Sequence, residues 1–313
     1  MTPEQEALVG LAAEIFAGRT SNEQLAAVER SESRWDAALW RELADAGLLG
    51  IAVPEEHGGA GLGLLEVCLL LEQQGRFLAA VPLWETLTAA LLIADDPVAK
   101  EWLPKVAAGE ARLSVSPALE GSDGLVPGPF DAAVVVDGSS VVLATGVESV
   151  PVETTTHALA YDIVSADSTP LDVTAVRVQD VVRVALSAVQ LGVADAGVQE
   201  AARHLTGREQ FGRPLATFQA TQQQLGDAYC DVQAMRATLG QAVFTLDRCD
   251  VDVATWWATD AGERIQHTVQ HLHGGLGADI TYPVHRRLLW TMRTNALLGG
   301  PSRQLVRLGA ALL

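Results

Sequence analysis

Hydrophobic and polar positions along the chain fall into three successive rhythms. Over about 1–110 the apolar residues recur at helical spacing. Leu8, Leu11, Ala12, Ile15 and Phe16 form one stripe. It is preceded by Thr2, Pro3 and Gln5, which read as an N-cap, a first-turn proline and a capping-box partner. A second amphipathic stretch covers 35–46 and stops at Gly47, a C-cap glycine, and two more apolar helices are predicted near 64–75 and 83–94. Over about 111–180 the period shortens to that of strands. Residues 132–136, the turn-forming pair Asp137-Gly138 and residues 141–143 spell a hairpin, and the β-branched runs 158–164 and 173–178 are expected as further strands.

From about 181 to 313 long helices return. One is predicted over 182–206, stopped by Gly207. A second is opened by Pro214 and carries Leu225, Tyr229, Val232, Met235, Leu239, Val243 and Leu246 on one side, read as bundle core. A third covers 253–272, ended by Gly274-Gly275, and a fourth covers 302–312. The expected fold is mostly α with a small β domain: an N-terminal helical domain (1–110), an abbreviated middle β domain (111–180) and a C-terminal four-helix bundle (181–313).

Charge narrows the partners. With 39 acidic against 21 basic residues the chain carries −18, which disfavours nucleic acid and anionic lipid surfaces. No stretch is expected to span a bilayer, and the acidic start, Glu4 and Glu6, is unlike a signal peptide, so a cytoplasmic location is expected. Cys68, Cys230 and Cys249 are far apart and read as reduced, mostly buried residues. His267, His271 and His273 have helical spacing for a metal, but no cysteine or fourth ligand accompanies them, so no metal site is expected. The run Gly58-Gly59-Ala60-Gly61-Leu62-Gly63 departs from a dinucleotide-binding fingerprint, follows no expected strand and reads as a flexible loop.

The most informative segment is Arg208-Glu209-Gln210-Phe211-Gly212-Arg213-Pro214-Leu215, followed by Phe218-Gln219. It puts an arginine and an aromatic ring in a turn between two helices, where Arg208 suits a pyrophosphate and Phe211 a planar ring. This segment resembles the R-x-Q-F-G signature of the acyl-CoA dehydrogenase family. Two further segments match the family in order. Residues 47–61, Gly-Leu-Leu-Gly-Ile-Ala-Val-Pro-Glu-Glu-His-Gly-Gly-Ala-Gly, resemble its N-terminal helix-to-loop motif. His271-Leu272-His273-Gly274-Gly275-Leu276-Gly277, with Tyr282-Pro283, resembles its Q-x-x-G-G-x-G element. Leu103-Pro104 and Gly109 also fit the family pattern at the end of the helical domain.

The resemblance implies FAD, bound at a subunit interface, and α,β-dehydrogenation of an acyl-CoA thioester. By motif position, Arg208, Phe211, Gln219 and the run His271, Leu272, His273, Gly274 and Gly275 are the groups lent to a neighbour's FAD pyrophosphate and adenosine. His271 stands where the family has glutamine, and Gln270 is about 100° round the helix from it.

The departures from the family are specific. The usual glutamate base position falls at Gly299, within Leu298-Gly299-Gly300-Pro301-Ser302, and the alternative base position falls at Val182. Neither residue accepts a proton. The family's T-E-P-x-x-G-S-D element persists only as Ser116-Pro117-Ala118-Leu119-Glu120-Gly121-Ser122-Asp123, and its W-I-T-N-like strand has no counterpart in 139–165. The resemblance therefore implies the short, base-lacking subunit of a heteromeric enzyme of the actinobacterial sterol side-chain type. A full-length homologue is the implied partner in an α2β2 assembly, a steroid side-chain CoA thioester the implied substrate, and an electron-transfer flavoprotein the implied acceptor. Two alternatives remain: a flavin-free homo-oligomeric scaffold on the same fold, and an autonomous enzyme with a displaced base.

Overall fold

The computed structural model describes residues 1–116, 125–154 and 159–311. It opens with six helices: α1 (Pro3–Arg19), α2 (Asn22–Arg30), α3 (Ala37–Asp45), α4 (Leu64–Phe77), α5 (Leu83–Ile93) and α6 (Ala99–Ala107). The expected capping box opens α1: Thr2 Oγ1 accepts from Gln5 N at 3.3 Å, and Gln5 Oε1 accepts from Thr2 N at 2.9 Å. Ala12 and Phe16 are buried, whereas Leu11 faces solvent. A second capping box, Ser21 with Gln24, starts α2. Gly47, in the left-handed region at φ 74°, turns the chain after α3. The glycine-rich loop before α4 is held in place rather than loose: Gly61 N donates to the Val53 carbonyl and Leu62 N to the Ile51 carbonyl, each at 2.8 Å, and a Cβ on Gly59 would strike Val53.

A five-stranded sheet follows, built from β1 (Leu113–Val115), β2 (Val126–Pro127), β3 (Ala132–Asp137), β4 (Ser140–Val152) and β5 (Ala160–Pro170). The spatial order is β1-β3-β4-β5-β2, with β1 parallel to β3 and the other pairs antiparallel. The expected hairpin is β3–β4, with Asp137 opposite Ser140 and Gly138 at φ 59° in the turn. The run expected over 158–164 is β5, which starts at Ala160. The Ser116–Asp123 element lies outside the described residues from Pro117 onward.

The expected strand at 173–178 is instead the first turn of a helix. Thr174 caps α7 (Ala175–Gly207) by accepting from Arg177 N at 3.2 Å. From Val178 onward the helix is enclosed, with Val178, Val181, Val182 and Val184 all buried, whereas Val176 in its first turn is 55% exposed. The same enclosure corrects the expectation that no stretch is long and apolar enough for a bilayer. By length and composition α7 is, but the apolar window lies wholly inside the protein, as befits a core helix.

After α7 come the short strands β6 (Glu209–Gln210) and β7 (Arg213–Pro214), then α8 (Gln219–Thr245), α9 (Arg248–His273), α10 (His285–Leu298) and α11 (Pro301–Ala311). Pro214 does not open α8. It pairs with Glu209 in the hairpin, and the helix starts five residues later. The bundle has five helices rather than four because α10 was not anticipated. On the α8 stripe Val232, Met235 and Leu239 are core as expected, but Tyr229 is 56% exposed. Of the cysteines only Cys68 is buried; Cys230 is exposed and Cys249 half-buried.

The N-terminal helices meet the bundle where α4 lies against α7. A Cβ on Gly75 would collide with the Val189 carbonyl, and one on Gly192 with the Glu72 carbonyl. Two glycines thus let the backbones touch. A lattice of charges surrounds the contact: Arg76 with Asp195, Arg236 with Glu72 at 2.9 Å, and Arg287 with Glu200 at 2.8 Å. Replacing Gly192 with alanine forces the helices apart and is expected to cost about 3 kcal/mol, read as a lowered denaturation midpoint in urea. An unchanged midpoint would refute the close-contact assignment.

Candidate functional site

The carboxyl end of α7 and that of α9 come together. Their meeting point is a pair of histidines, His204 and His273, stacked with ring centroids 4.5 Å apart. Tyr282 also packs against His273, tilted, with ring centroids 5.6 Å apart. Nδ1 of His273 lies 2.7 Å from the Val269 carbonyl, which only accepts, so Nδ1 carries the proton. Its Nε2 is buried without a hydrogen-bond partner. Partial burial, with His273 and Arg208 close by, holds His204 below its ordinary pKa, which favours a neutral ring.

Arg208 follows one helical turn after His204 and caps α7, its amide donating to the His204 carbonyl at 2.9 Å. Its side chain is exposed and has no ion pair among the described residues, unlike Arg76, Arg236 and Arg287. The β6–β7 hairpin then carries Phe211 and Gly212 at its tip, with φ of 55° and 79°. Two consecutive positive φ values match the tight turn that suits the strand twist. Glycine takes this conformation freely, but phenylalanine takes it at a cost of roughly 1–2 kcal/mol. Phe211 is nonetheless 91% exposed, touching Phe218 edge-on at 6.1 Å, while the Arg213 guanidinium sits 4.1 Å over the Phe218 ring. Beyond that edge-on contact, this strained, solvent-facing aromatic adds little to the chain's own packing.

Phe218 is the N-cap of α8 and supplies no capping side chain, so the amino end beginning at Gln219 keeps unsatisfied N–H groups and a partial positive charge. Across from the hairpin, α9 ends at His273. Gly274 has φ 58° and ψ −133°, a conformation restricted essentially to glycine. A Cβ on Gly274 or Gly275 would meet nothing, so the backbone there is open to a ligand. His271 is exposed, while Leu272 and His273 point inward. The histidine stack thus joins the chain just before Arg208 to the 271–275 run, and Phe211 at the hairpin tip touches Phe218, the residue before Gln219 at the start of α8. His204 was missed in the sequence, although its place four residues before Arg208 put both on one helical face.

The two positions expected to match the family base are of a different kind. Val182 is fully buried within α7. Gly299 caps α10 at φ 83°, followed by Gly300 at φ 77°.

The arrangement fits the adenosine side of a dinucleotide. It offers an unpaired arginine, an uncapped helix amino end and open glycine backbone for phosphates, with exposed rings alongside. Models of the acyl-CoA dehydrogenase N-terminal and C-terminal domains match residues 2–110 and 174–312, and the chain belongs to the acyl-CoA dehydrogenase family. It is 34% identical over 341 aligned positions to acyl-CoA dehydrogenase FadE27 of Mycobacterium tuberculosis, covering 91% of this chain and 90% of that protein. It superposes on a chain of the ChsE4–ChsE5 complex from Mycobacterium tuberculosis with a TM-score of 0.90, at 32% identity and with 100% and 98% of the two chains covered. For a chain of a variant Tcur3481–Tcur3483 steroid ACAD the TM-score is 0.89 at 41% identity, covering 99% and 97%.

Replacing Phe211 with glycine removes the backbone strain. The lone chain is expected to gain about 1 kcal/mol, or at least lose nothing, in thermal unfolding. A clear loss of stability would mean that Phe211 serves this chain's own fold.

Proposed function

We propose that this chain is one subunit of a heteromeric FAD-dependent acyl-CoA dehydrogenase. It completes the adenosine side of a shared FAD site, and a longer homologue supplies the general base, the isoalloxazine cradle and the acyl-CoA pocket. The observation that carries this reading is the contrast between two regions of one chain. Where the family's base belongs, Val182 is sealed in the core and Gly299 is a left-handed cap with no side chain. Where the family lends groups to a neighbour, Arg208 and Phe211 stand exposed and unused by their own chain.

FAD, when bound, supplies the hydride acceptor for α,β-dehydrogenation. This chain's part is binding and orientation. Arg208 donates charge-assisted hydrogen bonds to the pyrophosphate, joined by the amino end of α8 at Gln219. Gly274 and Gly275 permit close backbone approach, His271 takes the place of the family's glutamine, and Phe211 covers a ring. Leu272 and His273 act from beneath by fixing the end of α9.

The similarity to chains of paired assemblies, one of them called a steroid ACAD, supports a full-length acyl-CoA dehydrogenase homologue as partner in an α2β2 complex. It also supports a steroid side-chain CoA thioester as substrate. A cytoplasmic enzyme passing electrons to an electron-transfer flavoprotein is consistent with this reading.

Co-expression with the full-length homologue is expected to give yellow protein, while the lone chain purifies colourless. Stoichiometric flavin on the lone chain would overturn the shared site. In the complex, Arg208→Ala is expected to weaken FAD retention about tenfold or more, since it removes charged hydrogen bonds. Flavin content and activity equal to wild type after dialysis would remove Arg208 from the site.

A further inference from the structure

The β4–β5 ribbon runs on past the rest of the sheet. β3 pairs with β4 only as far as Ala133 opposite Ala144, whereas β4 continues beside β5 to Val152. Over 145–152 the other edge of β4 therefore meets no strand, and no loop backbone hydrogen-bonds to it, among the described residues. An unpaired edge is a template for another strand. Both faces of the ribbon are open as well, with Val150 53% and Val164 65% exposed. Two strands with both faces in water have little to hold them in place.

Beside that edge lies a pocket for a side chain. Pro129, Phe130 and Asp131, just ahead of β3, enclose a half-open hollow of about 180 Å³ with Val147 and Ser149 of β4 and Tyr161 of β5. Phe130 and Tyr161 stand edge-on in its wall, ring centroids 5.6 Å apart. An open edge with a pocket alongside is how sheets recognise extended peptides: main-chain hydrogen bonds give affinity, and the pocket selects a side chain.

Charge decides which peptide. Between Arg112 and Arg177 the chain has nine acidic residues and no lysine or arginine, half of the net charge of −18. Asp131 is taken by Arg112 at 2.8 and 2.9 Å. Glu148 and Asp162, exposed on the ribbon, have no ion pair among the described residues. Two such edges repel one another, which disfavours a second copy, and the same charges attract a cationic strand.

We propose that the open edge of β4 docks an extended basic segment of a different protein, which adds a strand along 145–152 and lays a lysine or arginine side chain against the Phe130 and Tyr161 rings. The apolar stem of that side chain fills the hollow, its cation meets the ring faces, and Glu148 and Asp162 receive the segment's remaining charges. None of the residues assigned to the shared FAD site lines this surface.

The test uses the full chain, with its partner subunit where they copurify, and a fluorescein-labelled peptide of alternating valine and arginine. Anisotropy is read at roughly 0.15 M salt, where loose charge attraction is screened. Saturable binding is expected, together with slowed amide exchange on β4 over 145–152. The same peptide with a central proline, which lacks a pairing N–H, is expected to bind about tenfold more weakly. Val147→Arg puts a resident cation into the hollow from a half-buried position and is expected to abolish binding. Asp162→Lys, at an exposed position, is expected to weaken it about threefold. Absence of saturable binding, equal binding of the proline peptide, full binding by both folded variants, or slowed exchange on β5 or elsewhere instead of β4 would each overturn the proposal. So would concentration-dependent slowing of exchange on β4 in the chain without peptide, the mark of a second copy as occupant. No readout here involves flavin, so the outcome is separate from that of the shared FAD site.

Discussion

The backbone contact between α4 and α7 is the constraint on which the rest of the molecule depends. Gly75 and Gly192 remove the side chains that would hold the helices apart, and the Val189 and Glu72 carbonyls occupy the space. Helices this close cannot be sheathed by apolar side chains along the whole seam. The edge is closed instead by ion pairs from four helices, α4, α7, α8 and α10. Exposed pairs of this kind contribute little singly, but these are half-buried and share partners, with Arg76 and Arg236 both reaching Asp195. The contact fixes where α7 lies, and α7 in turn places the arginine hairpin at its carboxyl end, while α5 packs on the sheet, with Thr86 Oγ1 donating to the Leu113 carbonyl at 2.9 Å.

Burial also explains the polar interior of the bundle. Arg183 is completely buried and pairs with Asp252 at 2.9 Å, while Gln190 donates to Thr291 at 2.8 Å. Such groups add little net stability, but removing one partner leaves a costly orphan. They set the register between α7, α9 and α10 in a way that a uniformly apolar core would not.

Legibility followed whether a signal was local. The capping box at Thr2 and Gln5, the Asp137-Gly138 turn and the glycines that end helices depend on neighbouring residues, and the sequence shows them directly. The Ser21–Gln24 box was equally present, but only Leu25, Ala26, Ala27 and Val28 are apolar in α2, too few to announce a helix. Residues 173–178 read as a strand because a short run carrying Val173, Val176 and Val178 does not by itself distinguish a strand from the first turn of a helix. Helix α10 was hidden for the opposite reason: its contacts run through Arg286, Arg287, Thr291 and Arg293 rather than an apolar stripe. In the site, the motif residues were visible by resemblance. The strain at Phe211 and the stacking of His204 on His273 depend on backbone angles and tertiary contact, which no spacing encodes.

The length of α7 bears on the shared site proposed for this chain. Val182 and Arg208 stand 26 positions apart near opposite ends of this helix, and at helical rise that is about 39 Å. On that proposal the two ends of the helix serve two different sites and are free to diverge. Val182 is buried and Gly299, which follows α10, has no side chain, so neither offers a proton acceptor, while the exposed Arg208 and the open backbone at Gly274 and Gly275 remain available to a neighbouring chain.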